Sequence, residues 1–220
     1  MVSTVDNAEL QERLRTTRLV AILRGTDVDA TVAAARTLLQ VGVLTLEIAL
    51  TLQDAEEAIA QIVQDAPATA LVGAGTVLDE ADVERAVSAG AQFMVTPTLS
   101  ASVPYAVSQG IGVLAGVYTP TEIQRGHDLG SAAVKLFPAS ALGSGFLRAV
   151  RDPFPQARII PVGGVRVDTV AEYLAAGAFG IGVGGPLVGD ATAPGGDLEA
   201  LAVRAGAFVQ ACVMDDPRLP

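Results

Sequence analysis

The sequence predicts a (β/α)8 barrel preceded by one extra helix, and three observations carry that prediction. A unit recurs along the chain: a helical segment, a glycine, then an apolar run. It appears at Val41-Gly42-Val43, Ala89-Gly90-Ala91, Gln109-Gly110-Ile111, Leu129-Gly130-Ser131 and Ala176-Gly177-Ala178. These glycines are 48, 20, 20 and 47 residues apart, so each long interval is about two short ones and the unit is one strand plus one helix. The apolar runs are short and nearly continuous, as strands buried on both faces are. The length of 220 residues, half of them hydrophobic, accommodates eight such units in one domain spanning 1–220. A doubly wound open sheet is the competing architecture. It has no support from a Gly-x-Gly-x-x-Gly turn after the first strand.

In chain order, the extra helix covers about 7–17. Strands are expected at 19–23, 43–48, 70–73, 92–95, 112–115, 132–136, 158–161 and 180–183. Helices are expected at about 27–40, 53–64, 79–89, 100–109, 121–129, 146–150, 166–176 and 196–213. Glycine suits the position just past a helix, because that residue often turns left-handed, a conformation that a Cβ disfavours.

Composition narrows the function. A net charge of −10 argues against a nucleic-acid partner, which needs clustered basic residues. The single cysteine, Cys212, cannot form an internal disulfide, which fits a reducing cytoplasm, and its place in the last helix suggests packing. Residues 1–18 are polar and mixed in charge, unlike a secretion signal. Residues 86–121 carry no charge. They are broken by Gly, Pro, Ser, Thr and Gln, so they read as buried strands and a helix with an uncharged outer face suited to a subunit contact, and no membrane span is expected.

In a barrel of this kind, residues at the C-terminal ends of the strands carry the chemistry. Strand six holds Lys135, the only lysine; the other thirteen of the fourteen basic residues are arginines. It lies in the apolar run Ala132-Ala133-Val134-Lys135-Leu136-Phe137-Pro138. An ammonium group there must be paired or lose its proton, and a neutral amine is a nucleophile towards carbonyl carbon. The plainer alternative is a lysine whose stem is buried and whose head reaches a salt bridge. Strand two holds Glu47, a lone carboxylate among apolar residues, which either has a partner or a raised pKa, and a raised carboxylic acid suits proton shuttling. Strand one ends at Arg24, placed to hold an anion by a bidentate pair or simply to face solvent. Strand three leads into Gly75-Thr76, where small residues admit a ligand and Thr76 offers a hydroxyl. Strand four ends in Thr96-Pro97-Thr98. Glycine pairs follow strand seven (Gly163-Gly164) and strand eight (Gly184-Gly185), the two loops where many barrels hold a phosphate on backbone amides. His127, the only histidine, falls at the far end of a helix, on the wrong face for catalysis, and is assigned a structural role. Neither metal-ligand spacing nor a serine nucleophile elbow is present, so no metal and no cofactor are expected.

From about Arg18 to Gly189 the chain resembles the 2-keto-3-deoxy-6-phosphogluconate (KDPG) and 2-keto-4-hydroxyglutarate (KHG) aldolases. The resemblance rests on Val20-Ala21-Ile22-Leu23-Arg24-Gly25, Leu46-Glu47-Ile48, Val72-Gly73-Ala74-Gly75-Thr76-Val77-Leu78, Val134-Lys135-Leu136-Phe137-Pro138-Ala139 and Pro161-Val162-Gly163-Gly164-Val165, in order and at the right spacing. It implies a homotrimeric (β/α)8 class I aldolase acting on a 2-keto acid and yielding pyruvate. Lys135 would be the Schiff-base lysine and Glu47 the glutamate that moves protons. Thr76 would touch the pyruvyl carboxylate and the two glycine pairs would hold the phosphate. Pro97 and Phe137 join Arg24 in the implied substrate-binding set.

Departures bear on the substrate. Thr51 stands where the gluconate enzymes carry an arginine, Val162 replaces a threonine, and Thr96-Pro97-Thr98 replaces Ser-Pro-Gly. Pro186 replaces a serine after the second glycine pair. Arg24 and Val162 look more like the 2-keto-3-deoxy-6-phosphogalactonate branch. Two other readings stand beside the lyase: a phosphate-binding barrel of isomerase or synthase chemistry, and a non-catalytic barrel that binds a sugar acid.

Overall fold

The computed structural model describes residues 3–213. Its strands are β1 (Leu19–Leu23), β2 (Thr45–Ala49), β3 (Leu71–Gly75), β4 (Phe93–Val95), β5 (Gly112–Val117), β6 (Ala133–Leu136), β7 (Ile159–Pro161) and β8 (Ile181–Val183). All paired strands run parallel in the order β7-β6-β5-β4-β3-β2-β1-β8, so each strand lies beside its neighbour in sequence. The seam between β7 and β8 is closed by a parallel bridge between Val162 and Gly182 and by Phe179 N–H donating to Ile159 O at 2.8 Å. The expected (β/α)8 barrel is therefore the observed architecture.

The helices are α1 (Asn7–Thr17), α2 (Val28–Val41), α3 (Ala55–Asp65), α4 (Glu80–Ser88), α5 (Ser102–Ser108), α6 (Pro120–Asp128), α7 (Gly143–Arg151), α8 (Val170–Ala175), α9 (Gly185–Val188) and α10 (Leu198–Val213). Several start on a side-chain cap that satisfies an otherwise orphaned amide. Asp27 accepts from Ala30 N–H at 2.8 Å, and Asp79 from Asp82 N–H at 2.8 Å. Thr119 and Glu122 form a reciprocal capping box, and its bonds hold the Glu122 carboxyl below the usual carboxylate range. All five recurrent glycines past a helix adopt positive φ: 94° at Gly42, 98° at Gly90, 73° at Gly110, 84° at Gly130 and 92° at Gly177.

Several boundaries differ from expectation; β3 and β5 each run two residues further, to Gly75 and Val117, and three other departures have a clear cause. Strand two begins at Thr45 and runs to Ala49, because Val43 still donates back to Leu38 O of α2 at 3.0 Å. The helix expected at 146–150 begins at Gly143, after a 3-10 turn at Ala139–Ala141. The two glycines of Gly143-Ser144-Gly145 mask this start, since glycine reads as a helix breaker. The short α9 was not anticipated: four residues are too few for a periodic signal, and Gly184-Gly185-Pro186 reads as loop.

Strand alternation separates two apolar faces. Leu46, Ile48, Val72, Ala74, Val113 and Ala115 point outward and pack under the helices. Val20, Ile22, Leu71, Phe93, Val95, Leu114, Ala133 and Ile160 fill the interior together with Leu10 and Leu14 of α1. So α1 stoppers the N-terminal mouth. Burying Leu10 and Leu14 contributes about 1.5–3 kcal/mol each. The segment before the helix is fixed by Val5, whose N–H donates to Gln92 O at 3.0 Å and whose carbonyl accepts from Gly112 N–H at 2.8 Å. With this end plugged, only the C-terminal mouth is open for a ligand.

Two residues singled out by type are structural in the fold. His127 Nε2 accepts from Arg158 N–H at 3.3 Å on the face away from the open mouth. Burial, reinforced by the Arg158 charge, pushes its pKa below the ordinary imidazole value. Cys212 is buried on α10, and burial pushes its thiol up to about 12. Among the described residues no helix is long and apolar enough to cross a membrane.

Candidate active site

Lys135 on β6 and Glu47 on β2 are 88 positions apart in sequence, and barrel closure brings them together. Lys135 Nζ donates to Glu47 Oε1 at 3.2 Å. Lys135 is 6% exposed and Glu47 1%. Two ions are expensive to desolvate, so the pair holds together by mutual compensation and is a poor choice for stability alone. Of the alternatives the sequence leaves open for the lone lysine and the lone carboxylate, the structure shows the paired one, in this one contact.

Glycine makes the room for it. A Cβ at Gly75 would stand 2.1 Å from Glu47 Oε1 and 2.5 Å from its Cγ. Any side chain there would evict the carboxylate. On the same strand, a Cβ at Gly73 would lie 2.6 Å from the Phe93 ring, which floors the interior beneath the pair. Gly116, the ladder partner of Lys135, lies so close to the chain after β4 that a Cβ would fall 2.3 Å from Pro97 O. Pro97 thereby packs against β5, the neighbour of the strand that carries Lys135.

Thr76 directly follows Gly75 and is half-buried with φ 60°. A β-branched residue in the left-handed region is a true outlier, and such strain costs on the order of 1–3 kcal/mol. Thr76→Gly should raise the thermal midpoint while lowering kcat/KM for any substrate that bonds to the Thr76 hydroxyl, because the strain goes and the hydroxyl goes with it. Differential scanning calorimetry beside a kinetic assay checks this. A midpoint that falls would show that the left-handed turn costs the fold nothing.

Beside the pair lies a cavity of about 300 Å3, walled by Ile22, Arg24, Phe137, Val162 and the four glycines Gly163, Gly164, Gly184 and Gly185, with Thr192 across from them. Ile22 is also the ladder partner of Glu47, so the cavity and the ion pair share a wall. Lys135, Glu47, Thr76 and Pro97 do not line it. Arg24 is exposed at its rim and makes no ion pair or hydrogen bond among the described residues. Gly163 and Gly164 have φ of 92° and 78°, which only glycine adopts freely. A Cβ at the first would stand 2.9 Å from the Phe137 ring, and at the second 2.5 Å from Ser140 Cβ. The turn after β7 thus packs against the chain after β6. Thr51 is exposed after β2 and is outside this cavity, as its type alone cannot tell. The sequence reading passed over Thr192, which stands in an aperiodic loop with no local signal.

The structure is thus a parallel (β/α)8 barrel with its lower mouth stoppered, a buried amine–carboxylate pair inside and a glycine-walled, cation-rimmed cavity beside it. The family model described as KDPG and KHG aldolase matches residues 10–203. The chain is 35% identical over 195 residues to the 2-dehydro-3-deoxy-6-phosphogalactonate aldolase of Escherichia coli (strain K12), covering 88% of this chain and 93% of that one. It is 36% identical over 169 residues to the 2-dehydro-3-deoxy-phosphogluconate aldolase of Treponema pallidum, covering 76% and 79%. The solved 2-keto-3-deoxy-6-phosphogluconate aldolase of Zymomonas mobilis ZM4, in complex with 3-phosphoglycerate, superposes with a TM-score of 0.82 at 28% identity, covering 96% and 99%. The chain belongs to the KDPG and KHG aldolase family.

Proposed function

We propose that the chain is a single-domain, cytoplasmic class I aldolase. Its substrate is a 2-keto-3-deoxy-6-phospho sugar acid or 4-hydroxy-2-oxoglutarate, cleaved to pyruvate and an aldehyde. The observation that carries this reading is the 3.2 Å contact between Lys135 Nζ and Glu47 Oε1 inside the barrel. Proton transfer from the ammonium to the carboxylate frees the amine, which adds to the C2 carbonyl. Glu47 returns that proton to the carbinolamine oxygen, which leaves as water, so an iminium forms and Glu47 is a carboxylate again. The cationic nitrogen of the iminium receives the electrons of the C3–C4 bond as that bond breaks. The C4 hydroxyl proton passes to Glu47 as the aldehyde departs. Glu47 then returns a proton to C3 of the enamine, and hydrolysis releases pyruvate and restores the lysine.

Thr76 and Pro97, beside the pair, would hold the pyruvyl end. Arg24, Phe137, Gly163, Gly164, Gly184 and Gly185 would hold the far end. A free guanidinium and open glycine turns favour an anion there. The galactonate stereochemistry of the sugar acid is the alternative within the same chemistry, supported by Arg24 and Val162. A homotrimer is the expected assembly. The uncharged run 86–121, with Val87 and Tyr118 exposed, would supply part of its contacts.

Reduction with borohydride in the presence of pyruvate tests the chemistry: a covalent adduct on the protein is expected, and its absence would leave a binding barrel or another reaction. Steady-state kinetics then rank the substrates. Phosphorylated acids should exceed 4-hydroxy-2-oxoglutarate in kcat/KM by roughly 10- to 100-fold, the scale of one hydrogen bond to a charged group. No preference in the wild type would remove the phosphate from the reading.

A further inference from the structure

The cavity beside the ion pair contains one side-chain hydroxyl that the fold does not use. Thr192 is 6% exposed, and yet among the described residues its hydroxyl makes no hydrogen bond. It is also absent from the sealed polar atoms without a partner, which are Thr45 Oγ1 and His127 Nδ1. The Thr192 hydroxyl therefore keeps contact with solvent, and the space that Thr192 walls is the cavity. A hydroxyl that faces a cavity and bonds to nothing in the fold is available to whatever enters that cavity.

Its surroundings define the partner. The same cavity is walled by the glycine turns after β7 and β8 and rimmed by the unpaired Arg24. The amides of Gly164 and Gly184, which stand outside the strand ladder, donate to no backbone acceptor among the described residues. Open amides, a free guanidinium and a hydroxyl are all donors, and no carboxylate lines the cavity. A compact oxyanion with several acceptor atoms satisfies them together; a neutral sugar hydroxyl does not.

The placement of Thr192 is fixed from both sides. Gly25 packs against it: a Cβ there would lie 3.2 Å from Thr192 Cβ. That contact sets Thr192 beside the turn that carries Arg24. On the other side, Arg204 of α10 donates from Nε to Leu187 O at 2.7 Å and from Nη2 to Val188 O at 3.0 Å, pinning the segment that leads into the loop. Pro186, at the start of that segment, has no hydroxyl and no N–H to offer.

We propose that Thr192 is a specificity residue whose hydroxyl donates to the phosphate of the substrate, a contact made from the loop before α10 in place of one at position 186. The proposal rests on the aldolase reading for the identity of the substrate, and on the cavity alone for the anion.

The test uses the full chain with Thr192→Val and Thr192→Ser. Each protein is titrated calorimetrically with inorganic phosphate and with glyceraldehyde 3-phosphate. Thr192→Val should weaken both by about tenfold, the lower end for a hydrogen bond to a charged group. It should raise KM for the phosphorylated sugar acid by a similar factor with kcat within about twofold. KM for 4-hydroxy-2-oxoglutarate and trapping of pyruvate by borohydride should not change. Thr192→Ser should restore phosphate binding to within about twofold. Thr192→Val should also keep the wild-type thermal midpoint, because the lost hydroxyl bonds to nothing in the fold. Wild-type phosphate affinity in Thr192→Val, no phosphate binding in the wild type, equal losses for both substrates, or a midpoint lowered by several degrees would each overturn the proposal. Failure of the wild type to trap pyruvate, with the phosphate loss still present in Thr192→Val, would overturn the aldolase reading and leave the anion contact standing.

Discussion

Lys135→Arg and Lys135→Ala should leave no protein-bound adduct after treatment with pyruvate and borohydride, and no measurable aldol cleavage. Neither side chain can form the imine on which every later step depends. The expected loss is total rather than graded, because no second amine lies in the barrel: Lys135 is the only lysine, and the N-terminal amine is the single other primary amine. The same fact sharpens the readout. In the wild type all trapped mass should map to the peptide containing Lys135, and adduct on any other internal peptide would reject the assignment. Removing one partner of a buried ion pair costs about 3–5 kcal/mol, so a loss of fold must be told from a loss of chemistry. Lys135→Met fills the volume without a charge, and circular dichroism on that variant supplies the control.

Glu47→Gln is expected to lower aldol cleavage by about 10²–10⁴-fold, the usual scale for a positioned acid–base group. The amide keeps the shape that Gly75 accommodates and can still meet Lys135 Nζ, but it cannot accept the C4 hydroxyl proton. Adduct formation with pyruvate should slow and not vanish, since the nucleophile is intact. A cleavage rate within a few-fold of wild type would assign the proton to solvent or to another group.

Much of the architecture was legible because the chain repeats. The five glycines at helix ends announced left-handed turns, and all five have them. Strand buried-ness, read from unbroken apolar runs, was equally direct. The meeting of Lys135 with Glu47 was legible only as two separate burdens: each residue needed a partner, but residues 88 apart become neighbours only when eight strands close. The role of Gly75 lay further out of reach. A glycine before a helix reads as turn material, and nothing local says that the atom it lacks would fall 2.1 Å from a carboxylate oxygen on the preceding strand. Thr192 and α9 escaped for a related reason: aperiodic segments derive their geometry from distant anchors, here Gly25 and Arg204, which no window along the chain contains.

Confining the one lysine to a site 6% exposed also decides how this protein meets its own chemistry. A reaction that releases aldehydes surrounds its catalyst with a reagent that condenses with any accessible amine. The exterior here offers guanidinium groups for its positive charge, which do not form such imines readily. Off-site condensation, the browning that slowly inactivates lysine-rich proteins in aldehyde solution, has only the chain's first residue to act on. The same arrangement makes amine-directed coupling to a solid support unsuitable for this barrel: apart from that terminus, the reagent has nowhere to attach except the interior it is meant to leave free.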